Sequence, residues 1–122
     1  MTPAAHIAAA IEILDLILAG ENAETSLTKW GRSNRFAGSG DRNAIRDIVY
    51  DALRQKNSLT KRSKKISGRS WIIALLQKNE VNLDEYFGVS RYSPPKIKKW
   101  ELDLLPIENE SDVHDIPDWL WP

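Results

Sequence analysis

The sequence predicts an all-α domain, a bundle of about five to seven helices around a single core. Apolar residues recur at intervals of three and four along most of the chain, which is the period of one helix face. No stretch of convincing length alternates apolar and polar residues as a half-buried strand would. With 122 residues, the chain is long enough to bury one core and too short for two.

The first predicted helix is marked at both ends. Thr2 is suited to the N-cap, Pro3 to the first helical position, and Gly20 ends the apolar pattern. One apolar face is predicted, formed by Ile7, Ile11, Leu14 and Leu18. A second, shorter helix is expected over residues 24–31.

The third predicted helix has the most regular pattern. Ser39 or Asp41 is expected to cap its start. Its apolar face is predicted to contain Ile45, Ile48, Val49, Ala52 and Leu53. Three further side chains fall together on its flank, namely Arg46, Tyr50 and Arg54.

The next segments alternate between polar and strongly apolar. Residues 57–65 are polar and basic and are expected to form a short helix or an ordered loop. Residues 71–76 are apolar on nearly every side, as in a helix at the middle of a bundle. Residues 83–87 are predicted to form one or two turns, ended by Gly88.

A last helix is predicted after the pair Pro94 and Pro95. Its shared face would carry Ile97, Trp100 and Leu104. Pro106 ends this pattern, and residues 107–115 form an acidic linker without a period.

Composition excludes several classes of protein. The absence of cysteine excludes disulfides, thiolate metal sites and a cysteine nucleophile in this chain. No stretch approaches the roughly 20 apolar residues of a membrane span. The alanine-rich start lacks basic residues and carries Glu12 and Asp15, so it does not fit a secretory signal. A cytoplasmic protein without membrane contact is expected.

The formal net charge is zero, but the charges are segregated along the chain. Residues 1–28 carry a net charge of −4 and residues 29–69 carry +9. Residues 70–100 carry +2, and residues 101–122 carry −7. Because affinity for a polyanion depends on local charge, the basic middle of the chain is a candidate surface for nucleic acid. A surface of scattered, solvated charges is the alternative.

No catalytic or metal site is predicted. Residues 38–41 are rich in glycine and precede a helix, but no Lys-Ser or Lys-Thr follows them as in a nucleotide-binding loop. A hinge with a helix cap is the favoured interpretation, with a backbone contact to an RNA phosphate left open. His6 is interpreted as a surface residue, and His114 lies in an acidic linker that makes a poor ligand cage. Pairing within the helix with Arg54 or Lys56 accounts for Asp47 and Asp51.

A basic surface that includes one aromatic residue is the strongest functional signal. Arginine can grip phosphates with two hydrogen bonds, and tyrosine can stack on an unpaired base, which together favour RNA. The candidate RNA-binding residues are Arg32, Arg35, Arg46, Tyr50, Arg54, Lys61, Arg62, Lys64, Lys65 and Arg69. Residues 61–65 are the part least explained by folding, because no apolar face accompanies them.

The five tryptophans fall into different settings. Trp71 and Trp100 lie at helical spacing from other apolar residues and are predicted to be core. Trp119 and Trp121 follow the acidic linker, where a small domain has little internal use for large aromatics. They are therefore expected to contact their own domain, a second copy of the chain, or a further domain.

The chain resembles the N-terminal, NusB-like RNA-binding domain of the Sun (Fmu) family of ribosomal-RNA cytosine-C5 methyltransferases. The resemblance lies in TPAA at residues 2–5 and in GDRNAIRDIVYDALR at residues 40–54. In that family an aspartate-arginine pair starts a helix that runs into a pattern similar to VYDALR. WGRSNRFAGSGDR at residues 30–42 is similar to α-proteobacterial members, and PDWL at residues 117–120 is similar to the piece leading into the catalytic domain. Residues 30–54 are the most specific part.

The resemblance implies a NusB-like bundle over residues 1–105 that binds ribosomal RNA. Residues 106–122 would then be an acidic linker and a Pro-Asp-Trp-Leu segment leading toward a methyltransferase domain absent from this chain. That domain would use S-adenosylmethionine and the family's catalytic cysteines, so no catalytic residue or cofactor is assigned here and this chain alone is not expected to be an enzyme. A stand-alone NusB-like module for transcription antitermination or protein interaction is the alternative, and a homodimer through Trp119 and Trp121 stays open.

Overall fold

A computed structural model describes residues 1–63, 66–98 and 101. These residues form five α-helices and no strand, which confirms the all-α prediction. The helices are α1 (Pro3–Leu18), α2 (Ala23–Ser33), α3 (Ser39–Arg54), α4 (Lys56–Arg62) and α5 (Gly68–Lys78), and a 3₁₀ turn follows at Leu83–Glu85. The acidic linker, Trp119 and Trp121 lie outside the described residues.

Helix α1 lies against α2, α3 and α5. Its predicted start is confirmed, because Thr2 Oγ1 accepts a hydrogen bond of 3.2 Å from the Ala5 N–H. The predicted apolar face is partly wrong. Leu18 is exposed and Ile11 is half-buried, whereas Ile13 is completely buried. Because α1 has neighbours on three sides, burial extends beyond one stripe and includes four alanines, Ala4, Ala5, Ala9 and Ala10.

Helices α3, α4 and α5 follow their predicted patterns. The apolar face of α3 is buried or half-buried as predicted. Gln55 ends α3 and also precedes α4, so the polar segment after α3 begins as a short helix that buries Leu59. Helix α5 is buried on nearly every side, with Trp71 to Leu76 all in the core. The first residue of α5, Gly68, donates its N–H to Asp15 Oδ1 of α1 at 2.7 Å.

The start of α3 differs from its prediction. Neither Ser39 nor Asp41 is the N-cap, because Gly38 occupies that position with an extended backbone. Asp41 lies in the first turn, where its carboxylate accepts a hydrogen bond from the Gly38 N–H at 3.1 Å. The interpretation of His6 as a surface residue was also wrong. His6 is half-buried on α1, and its Nε2 lies 2.8 Å from Asp41 Oδ1.

The helix predicted after Pro94 and Pro95 is not found over residues 94–98, which have no regular secondary structure. A residue that precedes a proline is biased away from helical geometry, and Pro94 is such a residue because Pro95 follows it. The Lys96 carbonyl, which a helix would use internally, accepts a hydrogen bond from Arg69 instead. Trp100 and Leu104 lie outside the described residues.

Candidate nucleic-acid interface

Helices α2 and α3 are separated by a groove of about 370 Å³. Its lining combines apolar and cationic side chains and contains no acid, namely Leu27, Thr28, Trp30, Arg32, Arg42, Asn43, Ile45 and Arg46. Trp30 and Ile45 are almost completely buried, so the aliphatic and aromatic part of the lining belongs to the core. The structure therefore brings the predicted Arg32 of α2 to the same groove as the predicted Arg46 of α3.

Arg42 links both walls of this groove. Its Nε donates to the Ala37 carbonyl at 3.0 Å, and its Nη2 donates to the Gly31 carbonyl at 3.1 Å. Gly31 permits this approach, since a Cβ at that position would lie 2.6 Å from Arg42 Nη1. Arg42 and Asn43 were not among the predicted binding residues. The sequence signal that could have indicated Arg42 is Gly31, because a glycine inside a helix often has a packing reason.

Arg46 and Tyr50 lie together on the flank of α3, as predicted, but they share an acidic partner. Glu24 of α2 accepts hydrogen bonds from Arg46 Nη2 at 2.6 Å and from the Tyr50 hydroxyl at 2.5 Å. The Arg46 guanidinium carbon also lies 5.4 Å from the centroid of the Tyr50 ring. The hydrogen bond from Tyr50, followed by those from Arg46, lowers the pKa of Glu24, and the same tyrosine hydrogen bond raises the pKa of Tyr50.

The remaining predicted arginines near this groove are exposed. The side chains of Arg32 and Arg35 make no hydrogen bond or ion pair to any residue within 1–63, 66–98 or 101. Arg54 lies one turn after Tyr50 on α3 and pairs with Asp51 at 3.3 Å. The Asp51–Arg54 pair is one of the pairings predicted within the helix, and most of the Arg54 side chain stays in solvent.

The basic run after α3 is described only in part. Lys61 is exposed in the last turn of α4, whereas Arg62 is half-buried and its Nε is shielded from solvent. Lys64 and Lys65 lie outside the described residues. The contribution of this run to an interface therefore stays a prediction.

Arg69 is half-buried and held by contacts within the fold, whereas Arg32, Arg35 and Arg54 are exposed. The Arg69 guanidinium donates to both carboxylate oxygens of Glu101, at 2.7 and 3.1 Å, and to the Lys96 carbonyl. It also lies over the Phe87 ring, 5.0 Å from the centroid. Burial alone would raise the pKa of Glu101, but the hydrogen bonds from Arg69 and the Lys98 N–H lower it below its ordinary value. Arg69 is consequently left out of the candidate interface.

The start of α3 does not present a free phosphate cradle. The hydrogen bond with His6, and then that from the Gly38 N–H, lower the pKa of Asp41, so a carboxylate already occupies this helix end. This geometry agrees with the interpretation of residues 38–41 as a helix cap. No group of three metal-ligating side chains occurs in the described part of the chain, and His114 lies outside that part.

No helix among the described residues is both long enough and apolar enough to cross a membrane. No protein-family model, curated protein or solved structure matches this chain.

Proposed function

We propose that the chain is an RNA-binding module whose interface is the groove between α2 and α3 together with the adjoining flank of α3. The observation that carries this proposal is the convergence of three arginines from two helices on one groove whose lining contains no acid. Phosphate contacts by arginine supply most of the non-specific affinity for nucleic acid.

The proposed RNA is ribosomal, on the strength of the resemblance to the Sun (Fmu) family. In this proposal the module holds RNA for a methyltransferase domain that uses S-adenosylmethionine, and methyl transfer takes place on that domain. Trp119 and Trp121 would contact it, and the whole protein would act in the cytoplasm. The residues that would hold RNA are Arg32, Arg35, Arg46, Tyr50 and Arg54, joined by Arg42, with Lys61, Arg62, Lys64 and Lys65 as an extension.

Salt dependence is the first test. The full chain is titrated with a short, unstructured single-stranded RNA at several salt concentrations, and log affinity is plotted against log salt. We expect a straight line with a negative slope, and Arg32→Ala and Arg46→Ala should each reduce that slope by about 1. Arg91→Ala is the matched control, because it removes one exposed positive charge outside the groove.

The proposal fails if affinity is the same at low and moderate salt, or if the groove variants match Arg91→Ala. Retention of a protein partner at high salt, with no affinity for RNA, would instead support the interaction-module alternative.

Glu24 provides a second test of the same interface. Since the Glu24 carboxylate accepts hydrogen bonds from Arg46 and Tyr50, a phosphate must displace that carboxylate to bind the same two side chains. Glu24→Gln should therefore raise RNA affinity about three-fold, in line with the modest strength of exposed ion pairs. Glu12→Gln removes the same charge from the exposed side of α1 and serves as the control. Equal affinities for the two variants would count against a groove that uses Arg46.

A further inference from the structure

The connection between α2 and α3 is a tight turn. The Ala37 N–H donates to the Asn34 carbonyl at 3.0 Å, which closes a four-residue turn. Arg35 and Phe36 occupy its two central positions and are exposed. The turn therefore displays one cationic and one aromatic side chain side by side.

Contacts at both ends hold this turn in place. At its start, Asn34 Nδ2 donates to the Trp30 carbonyl at 2.8 Å. At its end, Ala37 is buried, and its carbonyl accepts the hydrogen bond from Arg42 Nε. The same Arg42 lines the α2–α3 groove, so the turn is attached directly to the candidate interface.

Phe36 is 72% exposed, the largest value among the exposed large apolar side chains of the described residues. A single exposed apolar residue is common and has no meaning by itself. The position of Phe36 is unusual, because a fixed turn holds the ring in solvent next to a cationic groove. No acidic residue occurs between Glu24 and Asp41, whereas that stretch contains Lys29, Arg32 and Arg35.

We propose that Phe36 stacks on an unpaired base of single-stranded RNA, while Arg35 and Arg32 contact the phosphates on either side. This inference rests on the proposed RNA-binding function and names a base-contacting residue within it. Stacking on an aromatic ring is tolerant of sequence, because every base has a flat face.

The surroundings of Phe36 favour RNA over a protein partner. The core of a protein interface is a continuous apolar patch. The neighbours of Phe36 in the turn are the cationic Arg35 and the buried Ala37, so no such patch forms from these residues. The positive charge of the flanking arginines matches a phosphate backbone.

The chain contains a matched control for this site. Tyr92 is 69% exposed, and the Arg91 guanidinium carbon lies 5.7 Å from its ring centroid. Tyr92 therefore presents a similar aromatic-arginine pair, in a segment that follows the acidic Asp84 and Glu85. Tyr92→Ala removes an equally exposed ring outside the α2–α3 groove.

The test uses the full chain with two probes, an oligoadenylate and an oligomer of the same length that keeps the sugar-phosphate backbone but lacks the bases. We expect Phe36→Ala to weaken binding of oligoadenylate about ten-fold, since stacking one base is worth that order of affinity. The salt slope should stay unchanged, because no phosphate contact is lost. Phe36→Tyr should restore affinity, and Tyr92→Ala should have none of these effects.

For the abasic oligomer, wild type and Phe36→Ala should bind equally. An equal loss on both probes would show that Phe36 acts through the turn and would overturn the base-stacking proposal. The proposal also fails if Phe36→Ala binds oligoadenylate like Tyr92→Ala, or if it loses a protein partner while its RNA affinity is unchanged. In those cases, salt-dependent binding of RNA by the wild type would mean that the proposed RNA-binding function holds and that only the stacking proposal fails. If the wild type showed no such binding, both proposals would fail.

Discussion

Gly68 is the point where α5 begins against α1, and its missing side chain is a packing requirement. A Cβ at this position would lie 2.4 Å from the Ile11 carbonyl oxygen and 3.1 Å from the Leu14 Cβ. Backbone atoms of a buried helix cannot move aside as the end of a long side chain can. The contact therefore fixes how closely the two helices approach.

Gly68→Ala should lower the free energy of unfolding by about 3 kcal/mol, the upper end of the cost of overpacking a core. Chemical denaturation monitored by tryptophan fluorescence measures the change. Gly40→Ala is the control, because a Cβ there would meet no atom within 4 Å and alanine is the better helix former. Similar stability for the two variants would mean that α1 and α5 can separate without cost.

Individual side chains differ in how far the sequence predicts them. Thr2 is a confirmed N-cap, since a cap depends on residues only a few positions away. The position of Arg46 beside Tyr50 is also correct, because both lie on one helix. Their shared partner Glu24 lies 22 and 26 residues earlier and depends on how α2 packs beside α3. Helical periodicity carries no information about that packing.

At the scale of the helices, the contact between His6 and Asp41 joins the N-terminal end of α1 to the N-terminal end of α3. The hydrogen bond with His6 and that from the Gly38 N–H lower the pKa of Asp41 in the folded chain. A carboxyl group whose pKa is lowered on folding stabilises the fold above its ordinary pKa of about 4 and loses that effect as the pH falls further.

Asp41→Asn should therefore be less stable than wild type at pH 7, and the difference should shrink as the pH falls below about 4. Denaturant unfolding at a series of pH values measures it. Asp47→Asn removes an exposed carboxylate from the same helix and reports the effect of charge alone. A difference between Asp41→Asn and wild type that stayed constant down to pH 3 would contradict the role assigned to Asp41.

Arg42 joins α2, the turn and α3, so its geometry matters more than its charge. Arg42→Lys keeps the charge but cannot hold the Gly31 and Ala37 carbonyls with one planar group. We expect about a three-fold loss of RNA affinity, consistent with losing one net hydrogen bond, and faster hydrogen exchange at the Ala37 N–H. Arg54→Lys is the control, and equal exchange in both variants would show that Arg42 does not hold the turn.

Elements with a local pattern were predicted well, and elements shaped by distant contacts were not. The regular apolar face of α3 located that helix between Ser39 and Arg54 to within a few residues. The burial of α1 on three sides, and the irregular path of residues 94–98, depend on neighbours far along the chain. Arg69, for example, donates a hydrogen bond to the carbonyl of Lys96, which lies 27 residues later in the chain.

At the scale of the whole molecule, Arg69 and Arg54 have opposite roles. Arg69 supports the fold, because its side chain is 22% exposed and its partner Glu101 is 6% exposed. Arg54 is 70% exposed and lies on the flank assigned to RNA. The sequence places both in one basic segment and cannot separate them, since the difference lies in which carboxylate each one meets.

Arg69→Ala should lower the free energy of unfolding by about 3 kcal/mol, because Glu101 would lose the cation beside it. Its RNA affinity, measured at a temperature where the variant is folded, should equal that of wild type. Arg54→Ala should show the opposite result, with stability changed by less than about 0.5 kcal/mol and a salt slope reduced by about 1. Reduced RNA affinity in folded Arg69→Ala would return that residue to the interface.

The position of α1 has a consequence for how the chain folds as it is made. Ile13 and Leu14 are fully buried, yet the hydrogen bond that joins α1 to α5 spans 53 residues. During translation α1 leaves the ribosome before the other four helices and can pack on α2 and α3 as they follow. Its remaining apolar surface stays uncovered until α5 has emerged. A ribosome stalled before Gly68 would thus hold a nascent chain in which part of the apolar surface of α1 is exposed, and such surfaces are prone to aggregate.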